Sequence, residues 1–425
     1  VKVIYDISVL GYGFGDKRDR TGLFRVVENV AQGLAIAPEC DLSFSSIQNA
    51  EGTIKYLASI PRLAHVPFPD PRKSARRFID RRLFPLNTKI YNATGIRKLF
   101  LRLQRKTFFY LAGLLEPFSQ PVHPDDVMRA EVFHSSFARI PQQIKAAKHL
   151  KRFLTVYDLT PIFFPRFFEF VRKEFFVDIL HSLGKQDWAI CDSQSTKHDL
   201  CDYLGIAPAQ VFIAYPGADS QFFHPCHDSK KIAAVRRRYG IPDMPYLLSL
   251  GALEPRKNLD HVIRAFARLV QEQHIHNLSL VLAGPAVRLY EKIFAAVEAF
   301  PAIKNRIILT GYVEEQDLAA LYSGALAFVY MSLYEGFGLP PLEAMQCGVP
   351  VITSNTSSLP EVVGDAGIML NPTDSDGLCQ SLWNVYCDSS LREQMSRNSL
   401  ARAEQFSWEK CVQQTIAAYK TALAS

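Results

Sequence analysis

The amino-acid sequence predicts an α/β protein of two Rossmann-like domains, each a doubly wound parallel sheet flanked by helices. Three observations carry that expectation. The chain has 425 residues, more than a single core serves when domains settle at roughly 100 to 200 residues. Its second half alternates short apolar runs with helical patterns in regular order, as parallel strands joined by crossover helices do. Its first half repeats that order more loosely. Composition agrees: 48% hydrophobic and 21% charged residues suit a soluble globular chain with a substantial core.

In the second half, 246–250, 278–283, 306–310, 325–330, 350–353 and 367–370 read as buried strands. Between the first two lie Leu259, Val262, Ile263, Phe266, Leu269 and Val270, spaced as one face of a helix. In the first half, strands are expected at 2–7, 132–134, 153–157, 188–192 and 211–214. Leu23, Val26, Val27, Val30, Ala31 and Leu34 form an amphipathic helix after the first strand and a glycine-bearing loop. The Pro- and Gly-bearing stretch 215–245 links the halves, which sets domains of 1–240 and 241–406.

Charge is unevenly spread. The net charge is +6, yet residues 61–110 hold thirteen Lys or Arg against Asp70 and Asp80. Arg72, Lys73, Arg76, Arg77, Arg81, Arg82, Arg102, Arg105 and Lys106 interleave there with Phe78, Phe84, Phe100, Phe108, Phe109 and Tyr110. This pattern suits peripheral contact with an anionic membrane, and equally a solvated basic face on two surface helices. No nucleic-acid recognition motif accompanies it, so nucleic acid is not an expected partner. The eight cysteines are scattered without zinc-ligand spacing and read as reduced packing residues. No apolar run reaches the roughly 18 residues of a membrane helix, and the start lacks the features of a signal peptide, so a cytoplasmic chain is expected.

The sharpest motif is Glu335, Gly336, Phe337, Gly338, Leu339, Pro340, Pro341, Leu342, Glu343, followed by Gly348. Two prolines suit the first turn of a helix, Gly348 its end, and the earlier glycines let a loop approach a ligand. The helix N-terminus is then placed to receive a diphosphate, with both carboxylates facing one cleft. Taken alone, Glu343 also fits as a helix-dipole partner and Glu335 as a surface loop residue. Gly251 to Asn258, at the carboxyl end of the second half's first strand, adds Arg256 and Lys257 at the edge where open α/β sheets bind ligands. These cations suit a diphosphate, Arg256 by a bidentate fork and Lys257 as a point charge, or else cap the next helix.

With these pieces in place the chain resembles glycosyltransferase family 4, the retaining enzymes of the GT-B fold, over nearly its whole length. The matching segments are Thr21 to Arg25, His134, Tyr157 to Leu159 with Pro165, Pro216 to Asp219 with Phe223, Gly251 to Asn258, Leu282 to Gly284, Glu335 to Glu343 and Ser354 to Val362. The resemblance implies two facing domains with a cleft between them, the final helix (407–425) crossing back to the first. It implies that Glu335 contacts the donor sugar, Glu343 the ribose, and Arg256 and Lys257 the diphosphate. His134 resembles the family's cleft histidine that reaches the donor sugar. Gly22, Gly251, Gly284, Val313, Gly336, Phe337, Gly338 and Leu339 complete the donor surroundings. Asp158, at a strand end, either contacts an acceptor hydroxyl or caps the turn at Thr160. Two departures stand out: Phe24 where the family often has Gly, and Ala252 where it often has Arg.

The expected reaction is transfer of a hexose, mannose or rhamnose, from a GDP-, UDP- or dTDP-sugar to a polysaccharide or lipid-linked oligosaccharide. No cofactor and no metal are expected. Asp374 and Asp376 match a metal-binding D-x-D only superficially, because they open a helix and suit capping. Gly11, Gly13 and Gly15 likewise suggest a dinucleotide fingerprint only weakly. The rival readings are a nucleotide-sugar epimerase or phosphorylase on the same architecture, and a silent sugar-nucleotide-binding subunit.

Overall fold

The computed structural model describes residues 1–15, 21–69, 74–91, 93–115, 121–167, 173–286 and 291–425. Two sheets organise these residues, each six-stranded and parallel throughout. The first contains β1 (Lys2–Asp6), β2 (Asp41–Ser45), β3 (Val132–Ser135), β4 (Lys151–Val156), β5 (Trp188–Cys191) and β6 (Val211–Ile213), in the order β2-β1-β3-β4-β5-β6. The second contains β7 (Tyr246–Leu250), β8 (Ser279–Ala283), β9 (Ile307–Gly311), β10 (Ala327–Tyr330), β11 (Val351–Ser354) and β12 (Ile368–Leu370), in the order β12-β11-β10-β7-β8-β9.

That order decides where a ligand can sit. The chain builds β7, β8 and β9 outward, then returns to the other side of β7 to place β10. Crossovers from β7 and β10 therefore leave on opposite faces and open a crevice beyond their carboxyl ends. The two segments singled out in the sequence, 251–258 and 331–343, follow those two strands.

The central strands of the second sheet are mostly apolar because both of their faces are covered. Leu247, Leu280, Leu282 and Val329 lie in one core layer with helix Leu259–Glu272, while Leu248, Val281 and Phe328 face another, continuous with the first domain. The expected helix at 259–270 forms with all six of its periodic apolar residues buried.

Two expectations need correction in the first domain. The glycine-bearing segment after β1 is not a loop: Ser8–Gly15 is helical. Gly11 serves packing there, since a Cβ would stand 2.6 Å from the Thr53 amide nitrogen and 2.8 Å from the Asn49 carbonyl. β2 was not anticipated; its Asp-Leu-Ser-Phe-Ser alternation is that of a short edge strand rather than an apolar run.

Helix Trp408–Ala424 returns to the first domain. It seats Val412 where a Cβ on Gly33 would come within 2.3 Å, and Gln414 accepts a hydrogen bond from the Tyr215 amide at 2.9 Å. Helix Ser229–Arg238, before β7, is tied to the second domain by Arg238 and Tyr239, which both reach Asp317.

Candidate active site

At the crevice between β7 and β10, Glu335 is 8% exposed and lies among four side-chain donors. Its Oε1 accepts from Lys257 Nζ and Ser332 Oγ, each at 2.6 Å, and from Tyr330 Oη at 2.9 Å. Its Oε2 lies 2.7 Å from Arg256 Nη1. Burial alone disfavours the charged carboxylate, but Arg256 and Lys257 outweigh it and hold its pKa down at about 2. Glu335 is therefore an anion that accepts hydrogen bonds, with capacity left on Oε2.

The protein takes most of what both cations can give. Arg256 also donates through Nε and Nη2 to Glu254 Oε1 (3.1 and 2.7 Å) and through Nη1 to the Tyr334 carbonyl (2.6 Å). With the contact to Glu335, four of its five N–H donors are spent on the protein and one on Nη2 remains. Lys257 gives two of its three protons, to Glu335 and to Tyr330 Oη at 2.5 Å. Burial, then the neighbouring Arg256 charge, lowers its pKa against the pull of Glu335. Each of the pair retains one donor, and Lys257 is the one that lines the hollow beside Tyr330.

Glycines set the surrounding backbone. Gly251 and Gly284 adopt φ of +149° and +135°, and a Cβ on Gly284 would lie 2.0 Å from the Gly251 carbonyl oxygen, so the exits of β7 and β8 pack backbone to backbone. Gly338, at φ +118°, precedes helix Leu339–Gln346. Pro340 and Pro341 carry no N–H, which leaves Leu339 the only amide donor among positions 339–341. The helix N-terminus thus offers a diphosphate less than the motif suggests. Phe337 is 4% exposed and packs on Tyr215 and Phe406, so it supports the loop from behind. Val313 is buried just beyond β9.

Glu343, 1% exposed, faces a second part of the cleft. Its Oε1 meets Arg25 Nη1 of the first domain at 2.5 Å, and its Oε2 accepts from Tyr322 Oη at 3.0 Å. Beside it opens a cavity of about 230 Å³ lined from both domains by Arg25, Asp219, Phe223, Glu315 and Leu339 among others. Gly22 closes on the same helix, where a Cβ would be 3.2 Å from Leu339 Cδ1. At Lys257 and Tyr330 the free space is a hollow of only about 10 Å³.

The first domain meets this cluster at the end of β4. A Cβ on Gly336 would fall 2.0 Å from the Tyr157 carbonyl oxygen, so the glutamate loop lies directly on that strand end. Asp158 sits there, half-buried, within electrostatic reach of Arg256 and Glu335, and burial pushes its pKa up. Its Oδ1 also accepts the Thr160 amide at 3.0 Å, so the capping role is occupied while the carboxylate faces the cluster.

His134 does not join the constellation. It is 1% exposed, with Nδ1 2.6 Å from Tyr419 Oη and Nε2 2.7 Å from Thr155 Oγ1. Burial lowers its pKa to about 3. It is a neutral core histidine joining β3 and β4 to the returning C-terminal helix, and no ring nitrogen is left for a sugar.

Several contributors were not singled out from the sequence as site residues: Arg25, Tyr322, Tyr330 and Ser332. Only Arg25 had a signal, as the last residue of the Thr21 to Arg25 segment. Glu361 is a further one. Its oxygens accept the Gln194 and Ser195 amides of the first domain, both at 2.7 Å, capping helix Gln194–Leu204 from across the cleft. Asp374 and Asp376 have structural partners, the Gly377 amide at 2.8 Å and Arg268 respectively.

Two parallel-sheet domains facing across a cleft, with buried charges at a switch point, define the GT-B architecture of glycosyltransferases. Sucrose-phosphate synthase from Thermosynechococcus elongatus superposes over 100% of this chain and 99% of its own, with TM-score 0.66 and 18% identity. WaaG, a glycosyltransferase involved in lipopolysaccharide biosynthesis, does so over 98% of each chain, with TM-score 0.62 and 17% identity. At such identities the likeness is one of fold. Residues 232–402 match the family model of glycosyl transferases group 1. The match covers the part of the chain that holds Arg256, Lys257, Glu335 and Glu343. The O-antigen chain mannosyltransferase B of Escherichia coli is 44% identical over 186 residues, 44% of this chain and 48% of that protein. The serotype-specific mannosyltransferase WbdA of Escherichia coli is 32% identical over 254 residues, 60% of this chain and 31% of that protein. The matches thus span about half and about a third of those relatives' lengths.

Proposed function

We propose that the chain is a retaining glycosyltransferase that moves a hexose, mannose first among the candidates, from a nucleoside diphosphate sugar to a polysaccharide or lipid-linked oligosaccharide. The observation that carries this reading is the buried Glu335 anion held by Arg256 and Lys257 at the crevice between β7 and β10. A carboxylate kept ionised in a water-poor site accepts hydrogen bonds from sugar hydroxyls and fixes the ring. Lys257, with a donor remaining, faces the negative charge that grows on a departing diphosphate. Glu343, beside the larger cavity, suits a ribose, with Arg25 the group it exchanges for the hydroxyls.

The chemistry needs no enzyme nucleophile. As the anomeric carbon–oxygen bond to the diphosphate breaks, the acceptor oxygen bonds to the same face, and its proton passes to the leaving phosphate. Glu335, with both oxygens engaged and its pKa about 2, is a positioning anion in this scheme. The relatives named as mannosyltransferases support mannose as the first sugar to test.

The test is incubation of the chain with GDP-mannose, UDP-glucose and dTDP-rhamnose, each with and without a mannose-terminated oligosaccharide. The expected result is nucleoside diphosphate release that requires acceptor, with the product anomer matching the donor by proton NMR. A changed sugar without release identifies an epimerase, and binding without turnover a silent subunit; either overturns the proposal.

A further inference from the structure

Among the described residues, a row of exposed apolar side chains lies on a helical hairpin between β2 and β3. Helix Ser74–Tyr91 packs on helix Gly95–Leu115, and Ile79, Leu86 and Ala93 are buried between them and the domain. The second helix turns a different face outward. Ile96, Leu99, Phe100, Leu103 and Tyr110 are 87, 69, 59, 62 and 70% exposed, and Leu111 is 39% exposed. At 100° per residue these six fall within an arc of about 120°. A row of large apolar side chains left in water on one face marks an interaction surface.

Charge says what covers it. Arg97, Arg102 and Lys106 are exposed and flank the stripe. On the first helix Phe78 is 55% exposed with the Arg82 guanidinium 5.2 Å from its ring centroid. The segment 61–110, which holds most of the hairpin, carries thirteen basic residues against two acidic ones. An apolar ridge with a basic margin complements an anionic lipid surface, where the ridge enters the acyl boundary and the cations meet headgroup phosphates.

We propose that helix Gly95–Leu115 docks this chain on anionic phospholipid bilayers, lying in the interface through Ile96, Leu99, Phe100, Leu103, Tyr110 and Leu111. Its mounting orients the molecule. The hairpin's first helix rests on helices Ser8–Gly15 and Ala50–Ser59, which leave the carboxyl ends of β1 and β2. Tyr157 and Asp158 leave β4 at that same edge and meet Gly336. The docking helix is thus mounted, through its partner helix, at the carboxyl edge of the first sheet, where Asp158 also lies. The docking stands independently of the proposed sugar transfer, because it is read from vesicle binding alone.

The experiment is co-sedimentation of the chain with vesicles of phosphatidylcholine alone or mixed with phosphatidylglycerol, at low and high salt. The chain should pellet with the mixed vesicles at low salt and far less with phosphatidylcholine. Leu99→Ser with Leu103→Ser should lower partitioning about 100-fold, roughly tenfold for each leucine. Arg97→Ser, Arg102→Ser and Lys106→Ser together should weaken binding mainly at low salt, roughly fivefold per charge. All five side chains are exposed, so thermal unfolding should be unchanged and any lost binding belongs to the surface. Equal binding of the leucine variant overturns the proposal. So does a wild-type chain that ignores vesicles and self-associates through the stripe, which assigns the surface to a second copy.

Discussion

His134 shows how burial converts a candidate catalyst into a structural group. Its folded pKa of about 3 lies below the ordinary 6.5, so the unfolded chain binds the proton more readily. The stability this residue contributes is complete above pH 6.5 and drains away as pH falls toward 3. Between pH 7.5 and 5 the loss should be on the order of 2 kcal/mol. His134→Gln should be less stable at pH 7.5 but show a shallower decline to pH 5, measured by melting temperature. An unchanged slope would mean that another group carries the acid sensitivity. Sequence spacing gave no access to this, because the partner that occupies Nδ1, Tyr419, lies 285 residues away. Glu335, Arg256 and Lys257 were legible for the opposite reason: each sits within a few residues of a strand end whose position the apolar runs reveal.

At the level of elements, the second sheet could be read strand by strand, since strands covered on both faces become unbroken apolar runs. β2 escaped notice because an edge strand tolerates Asp41, Ser43 and Ser45. Helix Ser8–Gly15 escaped because three glycines oppose helix propensity, and only its packing against Asn49 and Thr53 explains Gly11. The loop from Ser332 to Gly338 touches the first domain through Tyr334 and Phe337, and at Gly336 its backbone does so. Gly336→Ala would place a methyl 2.0 Å from the Tyr157 carbonyl oxygen and 3.0 Å from Asp158 Cβ, so the loop must withdraw. We expect transfer to fall by roughly 10² or more, because a displacement of about an ångström suffices for that. Thermal unfolding should change little. A variant with full activity would show that the close apposition of loop and strand end is dispensable.

Across the whole molecule, the cleft that encloses the cluster exists only because two domains meet. Arg25 reaches Glu343, Glu361 caps helix Gln194–Leu204, and Thr196 Oγ1 bridges the Tyr157 and Gly336 carbonyls at 3.1 and 3.3 Å. None of these contacts is local, which is why the sequence revealed both domains and the motifs but not the ties between them. The returning helix, which the resemblance supplied, closes the arrangement through Val412 and Tyr419. The proposed chemistry concentrates on Lys257, which lines the hollow beside Tyr330 with one of its three protons unspent, whereas Arg256 gives four of its five N–H donors to Glu254, Glu335 and the Tyr334 carbonyl. The decisive measurement is therefore transfer by folded Lys257→Ala at saturating donor, set beside nucleoside diphosphate binding by calorimetry. Turnover should drop about 10² to 10³-fold while binding falls much less, since the charge is needed most in the transition state. Near wild-type turnover would contradict the assignment of this cluster as the leaving-group site.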